Sequence, residues 1–475
     1  MPETGPMITW DEQTDVLIVG SGIAGLSAAI EAREAGADVI VLEKMKGTGG
    51  NTRISDGGLA APGNPLQQQA DIQDSADLFY EDMLRAGLGL NHPLLTRIVA
   101  ERSGEAVAWT MQHLGVTYLD RLDRFGGHSV ARCLTTQNHS GADLIRAQMA
   151  KLTELGVPVR TQCLLTQLIT DGTGVVSGVK VRSGYRFGSD DSGTTTHIRA
   201  KRAVVLATGG FGNDVPFRML QNPFLDETIG TTNHRGATAE GLIAALKIDA
   251  APVHLSWIQL GPWGCADETG YGLGASFASY CVYPAGILVD PATGCRIVNE
   301  WSDRRQRSDA ILKTRHACVG VVDVDGARNS SDKLERCIQR GLIKSFDTLA
   351  ALAEAYDIPE RQLKSTVDHY NRGIETGAPD EFGKPLKTAN PIQTPHFFAI
   401  RLWPKVHYTP GGLGINANAQ VIDHSGRPIP HLYAAGEVCG GVHGASRLGS
   451  CALPECIIFG RIAGQHAAGI DSTQA

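Results

Sequence analysis

Three glycines and one glutamate have the types and spacing to hold a dinucleotide. Gly20, Gly22 and Gly25 make a GxGxxG enclosing Ile23 and Ala24, and Glu43 follows about twenty residues on. Gly20 permits the tight turn, Gly22 lets the backbone approach a pyrophosphate, and Gly25 allows close helix–strand packing. A helix opening there presents unpaired N–H groups and the positive end of its dipole to phosphate. Glu43 is placed to accept from ribose hydroxyls. The elements that must position these residues come in order. An apolar strand, Val16–Val19, stops at Gly20. A helix-compatible stretch, Leu26–Ala35, is ended by Gly36, and a second apolar strand, Val39–Leu42, runs into Glu43.

A Gly-rich loop, Lys44 to Gly58, follows directly. With Gly50, Asn51, Thr52, Asp56, Gly57 and Gly58 it suits backbone pressed against a flat ligand, an ordinary surface loop being the plain alternative. Helical spacing marks Asp74–Ala86, Pro93–His113 and Gly141–Leu155. Leu164–Val181 alternates like a strand pair about a turn at Asp171–Gly174, and the Gly/Ser-rich Ser183–Thr196 reads as a hairpin tip. A buried strand from Arg202 ends in Thr208-Gly209-Gly210. From residue 245 to 395 the pattern changes to aromatics, prolines, short strands and the helical stretches Asp332–Gly341, Ser345–Tyr356 and Pro359–Glu375.

The 475 residues suffice for two or three domains, and a net charge of −7 without blocks suggests neither nucleic acid nor an anionic membrane. No apolar run is long enough to span a bilayer. The first ten residues lack a basic and an apolar region, so no signal peptide is expected. Ten cysteines without paired spacing fit a reducing cytoplasm. There is no CxxCH for a c-type haem and no cysteine cluster for iron–sulfur, and no metal site is expected.

Several stretches together resemble the fumarate reductase/succinate dehydrogenase flavoprotein family, to which flavocytochrome c fumarate reductases and 3-ketosteroid dehydrogenases are related. They are Gly49-Gly-Asn-Thr with Gly57-Gly58, Thr208-Gly-Gly-Phe-Gly212, Thr231–Gly241, Arg296–Ser308, Val406–Gly414 and Leu432–Gly464. The resemblance covers Asp15 to Gly469. It implies an α/β fold: a Rossmann-like FAD-binding domain (1–244 and 396–475) with an inserted α+β capping or substrate domain (245–395). It implies FAD, and non-covalent FAD, because Asn51 stands where membrane-bound members carry the linking histidine. Glu437 matches an FAD-binding acid. Ser450, Ala452 and Leu453 form a turn expected near the flavin's pyrimidine end. The loop Gly126–Val130 matches one near flavin and substrate, where His128 either contacts substrate or is structural.

The same resemblance implies the catalytic set. Arg304 aligns with the arginine over the substrate, Arg447 with a substrate-carboxylate arginine, and His407 and Tyr408 lie in the "HHT-x-GG" turn. Adding or removing two hydrogens across an activated C–C bond needs hydride exchange at flavin N5, a cation at the activating oxygen, and an acid or base at the α-carbon. Arg304 and Arg447 suit the second task as bidentate forks. Arg304 or Tyr408 serves the third, since the family's arginine–glutamate relay, on a strand there, is replaced by Val282 and Ser279. Gly261 and Tyr408 stand where the family's dicarboxylate enzymes have histidines. Fumarate or succinate is therefore not expected. A bulkier enoate or steroid-like enone is, Gly261 opening space. Electrons would come from or go to an external protein, quinone, free flavin or oxygen. A non-redox FAD protein (isomerase or hydratase) and a flavin subunit of a larger redox complex are the alternatives.

Overall fold

The computed structural model describes residues 8–189, 191–330 and 333–469. Asp190 of the expected hairpin tip, Asp332 at the expected helix start, the segment 1–7 read for a signal peptide and the end beyond 469 lie outside these residues.

The chain forms two units. The first comprises 1–224, 234–258 and 408–475, and the second 225–233 and 259–407. Beside the expected limits of 245 and 395, the second unit starts later, ends later and takes in Leu225–Asn233. Residues 234–258 stay with the first unit because the helix Glu240–Leu246 belongs to its core and Pro252–Val253 pairs with Gly412–Leu413.

The first unit is built on a mostly parallel sheet. Its order is Gln420–Ile422, Pro428–Ala434, Thr194–Leu206, Glu12–Val19, Val39–Leu42, Val159–Arg160. Val16 lies beside Val39 and Ala203, and Leu432 beside Val204, all in parallel register. Strands with helices on both faces read as unbroken apolar runs, and Val16, Leu17 and Ile18 are fully buried. A hairpin, Cys163–Thr170 with Val176–Ser183, extends the sheet through an antiparallel pairing with Thr194–Leu206. The closing helix, Ala452–Ala467, packs on Ile23–Glu34 so closely that a Cβ at Gly460 or Gly464 would collide with the carbonyls of Ala24 and Ala28. The expected helices appear as Ala76–Ala86, Pro93–Gln112 and Ala142–Glu154.

The second unit has an antiparallel sheet, Ile287–Val289, Cys318–Asp323, Phe397–Leu402, Ile343–Phe346. Lys333–Gln339, Leu349–Ala355 and Glu360–Thr376 supply the expected helices. A further helix, Arg304–Thr314, lies outside the expected helical stretches and is opened by Asp303, whose carboxylate accepts from the Gln306 N–H (3.0 Å) and side-chain amide (2.6 Å). Asp303 is thus an N-cap whose carboxylate also holds the Gln306 side chain, readable as Asp-x-x-Gln. A buried ionic group steadies the segment before it. Glu300 receives the Leu288 N–H (2.9 Å) and the Arg296 fork (3.1 and 2.7 Å), and Arg296 also binds Asp380. Glu300 thus ties the segment to the sheet. The strand expected around Ser279 and Val282 is instead π-helical, Ala278–Val282, within a helical run from Gly274 to Ala285.

No described helix is long and apolar enough to cross a membrane, and among the described residues no group of three or more His, Cys, Asp or Glu could hold a metal ion.

Candidate active site

An open cleft of about 890 Å³, counting its mouth, lies at the C-terminal ends of the parallel strands of the first unit, where open α/β sheets take ligands. Gly20 (φ +111°) turns the chain, and a side chain there would collide with the Ala207 carbonyl. Gly25 is held by the Gly20 carbonyl and the Ala207 methyl, beneath the cleft rather than in it. Gly22 differs. A Cβ there would meet nothing nearer than Thr52 Oγ1 at 3.9 Å. Protein packing does not demand glycine at this position, which faces the cleft at the N-terminus of the Ile23–Glu34 helix. That helix has no side-chain cap at Gly22, and its Ile23 N–H donates to Thr52 Oγ1 at 3.3 Å. These are the features of a phosphate-accepting helix terminus.

Glu43 is buried and oriented. One carboxylate oxygen accepts from the Ser21 hydroxyl (2.6 Å) and N–H (3.2 Å), the other from the Met45 N–H (2.8 Å). Ser21 Oγ in turn accepts from the Gly49 N–H at 3.1 Å, coupling the first turn to the Gly-rich loop. Lys44 is paired with Glu240 (2.9 Å) and Thr238. Asn51 accepts from the His234 N–H (2.7 Å) and donates to Glu437 (3.3 Å), which also accepts from the Thr409 N–H (3.0 Å). Burial pushes the Glu437 carboxyl pKa up despite these donors. Of the expected cofactor residues, Gly20, Gly22, Ile23, Ala24, Glu43, Lys44, Gly50, Asn51, Thr52, Thr208, Gly209 and Glu437 line the cleft. His234 and the Gly236–Thr238 loop line it too. They fall in the quoted stretch Thr231–Gly241, but nothing local marks which of them face inward.

The remaining expected cofactor residues do not line this cleft. Gly210 packs on Glu437 and Thr409. Gly57 packs on Thr136, and Gly58 lies against Ser450, where a Cβ would come within 2.5 Å of Oγ. Asp56, Ala452 and Leu453 also stand apart from the lining. Ser450 is left-handed (φ +59°), and its carbonyl accepts from the Ala60 N–H at 2.9 Å. The preceding carbonyl, of Gly449, is bound by His128 Nε2 at 2.9 Å. His128 Nδ1 meets Arg132 Nη1 at 3.0 Å, and because arginine only donates, Nδ1 accepts and Nε2 carries the proton. His128 is therefore a strut of this turn. Arg132 is wholly buried and forks onto Asp74 (2.9 and 2.8 Å) with a third bond to Asp82 (2.6 Å).

Tyr408 and Arg447 come together. The guanidinium carbon of Arg447 sits 4.5 Å from the Tyr408 ring centroid, and Arg447 Nη1 donates to the Leu448 carbonyl at 2.7 Å. Tyr408 donates its hydroxyl to Glu455 at 3.3 Å, and His443 Nε2 lies 3.7 Å from the same carboxylate oxygen. Burial raises the Tyr408 pKa well above its ordinary value, so the phenol keeps its proton. Glu455 and His443 were not anticipated. Glu455 is distinguishable in sequence only as an acid in the first turn of the closing helix.

In the second unit, Arg304 opens its helix and donates to Gln259 Oε1 at 3.5 Å, with its guanidinium carbon 4.5 Å from the centre of the Trp263 ring. Trp263 also stands edge-on to His407, ring centres 4.9 Å apart, and His407 Nδ1 meets Thr232 Oγ1 at 2.7 Å. The space expected beside Gly261 is filled. A Cβ there would lie 3.0 and 3.1 Å from the Trp263 indole and 3.3 Å from the His407 Cβ. Arg307 is structural: it is buried over the Tyr283 ring at 4.2 Å, and burial lowers its pKa.

A family model described as FAD binding domain matches residues 15–453. The acrylate reductase flavoprotein subunit of Shewanella woodyi is 42% identical over 465 residues, covering 96% of this chain and 91% of the relative. The urocanate reductase of Eggerthella lenta is 34% identical over 99% of this chain and 77% of its own. Among solved structures, the open conformation of a flavocytochrome c3 fumarate reductase is similar with a TM-score of 0.77 and 31% identity, over 97% of this chain and 78% of that one.

Proposed function

The chain belongs to the family of flavoproteins with this FAD binding domain, and from that premise we propose that it reduces, or in reverse desaturates, a C–C bond next to a carboxylate or ketone. The observation that carries the reading is the cleft. It presents a helix terminus without an N-cap side chain and a glycine, Gly22, that no neighbouring atom requires, on a chain whose relatives are named as enoate reductases. The fit to FAD follows from the donor set. The N–H groups beyond Gly22 suit the pyrophosphate, and the turn Thr208–Gly209 suits the adenosine side. Glu43, held by Ser21 and Met45, keeps lone pairs for ribose hydroxyls. Asn51 holds Glu437 in orientation.

Bound FAD supplies hydride exchange at N5 with the substrate β-carbon. Arg304 holds the activating oxygen by a fork and stabilises negative charge as it develops there. Arg447 and His407 are further oxygen ligands. The α-proton belongs to Arg304 or Tyr408. The Tyr408 hydroxyl carries its proton toward Glu455, so its use at the substrate requires that bond to break. Gly57, Gly58, Ser450, Ala452 and Leu453 support the cofactor through the turn that His128 clamps. Electrons pass to or from an external protein, quinone or free flavin. The dispersed cysteines favour a cytoplasmic location, and the limits 1–244, 245–395 and 396–475 remain our reading of domain roles.

Two results are expected. The purified protein is yellow, and acid precipitation releases FAD into the supernatant, because Asn51 offers no nucleophile for a covalent link. Flavin retained on the precipitated chain would contradict this. Second, fumarate is a poor substrate. Gly261 provides no side chain and Tyr408 is turned to Glu455, so a second carboxylate has no partner from either. A kcat/KM for fumarate equal to that for single-carboxylate enoates, in anaerobic reoxidation of dithionite-reduced enzyme, would reject the reading. Failure of every enoate and enone to reoxidise the flavin would instead favour a non-redox FAD protein.

A further inference from the structure

We propose that Trp263 is the specificity-determining residue of this site, and that its indole selects short 2-enoates with one carboxylate over dicarboxylates and over enoates with a bulky β-substituent. The inference rests on the enoate reading above and on the roles given there to Arg304 and His407. Trp263 touches both, its ring 4.5 Å from the Arg304 guanidinium carbon and 4.9 Å from the His407 ring. It is held there from two sides. The carbonyl of the preceding Pro262 accepts from the Tyr283 hydroxyl at 2.7 Å, and Ser308, on the Arg304 helix, bonds the Leu260 carbonyl at 3.4 Å. Gly261 is the counterpart of this packing, because any side chain at 261 would press on the indole.

Two consequences follow from the chemistry of that ring. The apolar face of the indole beside Arg304 gives a second carboxylate no cation, and an unpaired carboxylate pressed on that face is strongly disfavoured. The same plane removes volume that a β-aryl or longer chain would need. Trp263 is 4% exposed, and its Nε1–H is buried without a hydrogen-bond partner. An orphaned indole N–H costs stability, and chains keep such local violations chiefly at functional sites. The ring face also holds the guanidinium by cation–π attraction, so that Trp263 positions Arg304 as well as limiting its neighbours.

The test uses dithionite-reduced holoenzyme, reoxidised anaerobically by acrylate, trans-cinnamate and fumarate, in the parent, Trp263→Ala and Trp263→Phe. The parent should prefer acrylate. In Trp263→Ala the cinnamate-to-acrylate ratio of kcat/KM should rise about tenfold or more, the scale on which pocket volume discriminates, with Trp263→Phe between. Calorimetry on the oxidised holoenzyme gives an independent binding readout: 3-phenylpropionate should gain affinity over propionate in Trp263→Ala. Trp263→Phe keeps the test decisive where the alanine variant does not fold. A ratio unchanged within about twofold in the folded variants, or a parent that already uses cinnamate or fumarate as well as acrylate, would overturn the assignment. Reoxidation of the parent by none of the three would also overturn the assignment, and failure of every enoate and enone would refute the enoate reading itself.

Discussion

Arg304→Ala is expected to lower kcat by about 10²–10³, the usual cost of removing one preorganised donor to developing charge, while FAD content stays at the parental level. FAD content is insulated because Arg304 lies outside the cleft lining. Stability should change little. Arg304 occupies the first turn of its helix, where a positive charge opposes the helix dipole by about 0.3–1 kcal/mol, and this offsets the lost stacking on Trp263. Arg304→Lys should restore little activity, since a point charge cannot reproduce the fork. Arg305, paired at 3.5 Å with Asp309, is the appropriate control. Arg307 is not, because its burial over Tyr283 makes its loss structural. Tyr408→Phe separates the two proton candidates: it abolishes turnover and one limb of the pH profile if the phenol is the donor, and mainly alters substrate binding if Arg304 is. Parental reoxidation rates in Arg304→Ala would show the assignment to be wrong.

Arg132→Ala should be the most destabilising single change, by about 3–5 kcal/mol, because it leaves two carboxylates buried without their cation. Asp74, Asp82 and Arg132 have no exposed side-chain surface. The loss should extend to cofactor retention, since Arg132 orients His128 and His128 holds the Gly449 carbonyl before the Ser450 turn. Acid sensitivity gives a second measurement. Burial raises the Asp82 pKa, but the bonds from Ser129 and Arg132 outweigh it and leave the carboxyl below 3.8. A carboxylate lowered in the folded state adds stability in full above its unfolded pKa, and that stability is lost as pH falls through the folded value. In the parent the loss therefore lies below about pH 4, and without Arg132 it should begin at higher pH. Urea unfolding at several pH values measures both. A midpoint within experimental error of the parent's, or an unchanged acid limb, would rule out this account.

How much was legible in the sequence depended on how far apart the deciding partners lie. The Val16–Val19 strand, the Gly20–Gly25 turn, its helix and Glu43 come within one βαβ unit, so periodicity and glycine spacing determined them without knowledge of the remainder. The helices Ala76–Ala86, Pro93–Gln112 and Ala142–Glu154 were legible for the same reason, their apolar faces recurring at three- and four-residue steps. The helix Arg304–Thr314 had a local signal in Asp303 and Gln306 that its charge obscured. Side-chain partners were another matter. His128 faced either substrate or structure until its bond to Gly449, 321 residues away, settled its tautomer. That the Tyr408 hydroxyl donates to Glu455, 47 residues away, had no mark in the sequence either. Gly261 by itself meant open space, yet Trp263, two residues on, fills it. Backbone conformation is written in near neighbours, whereas the direction of a side chain and the volume it occupies are decided by whatever packs against it, and only the tertiary structure brings those groups together.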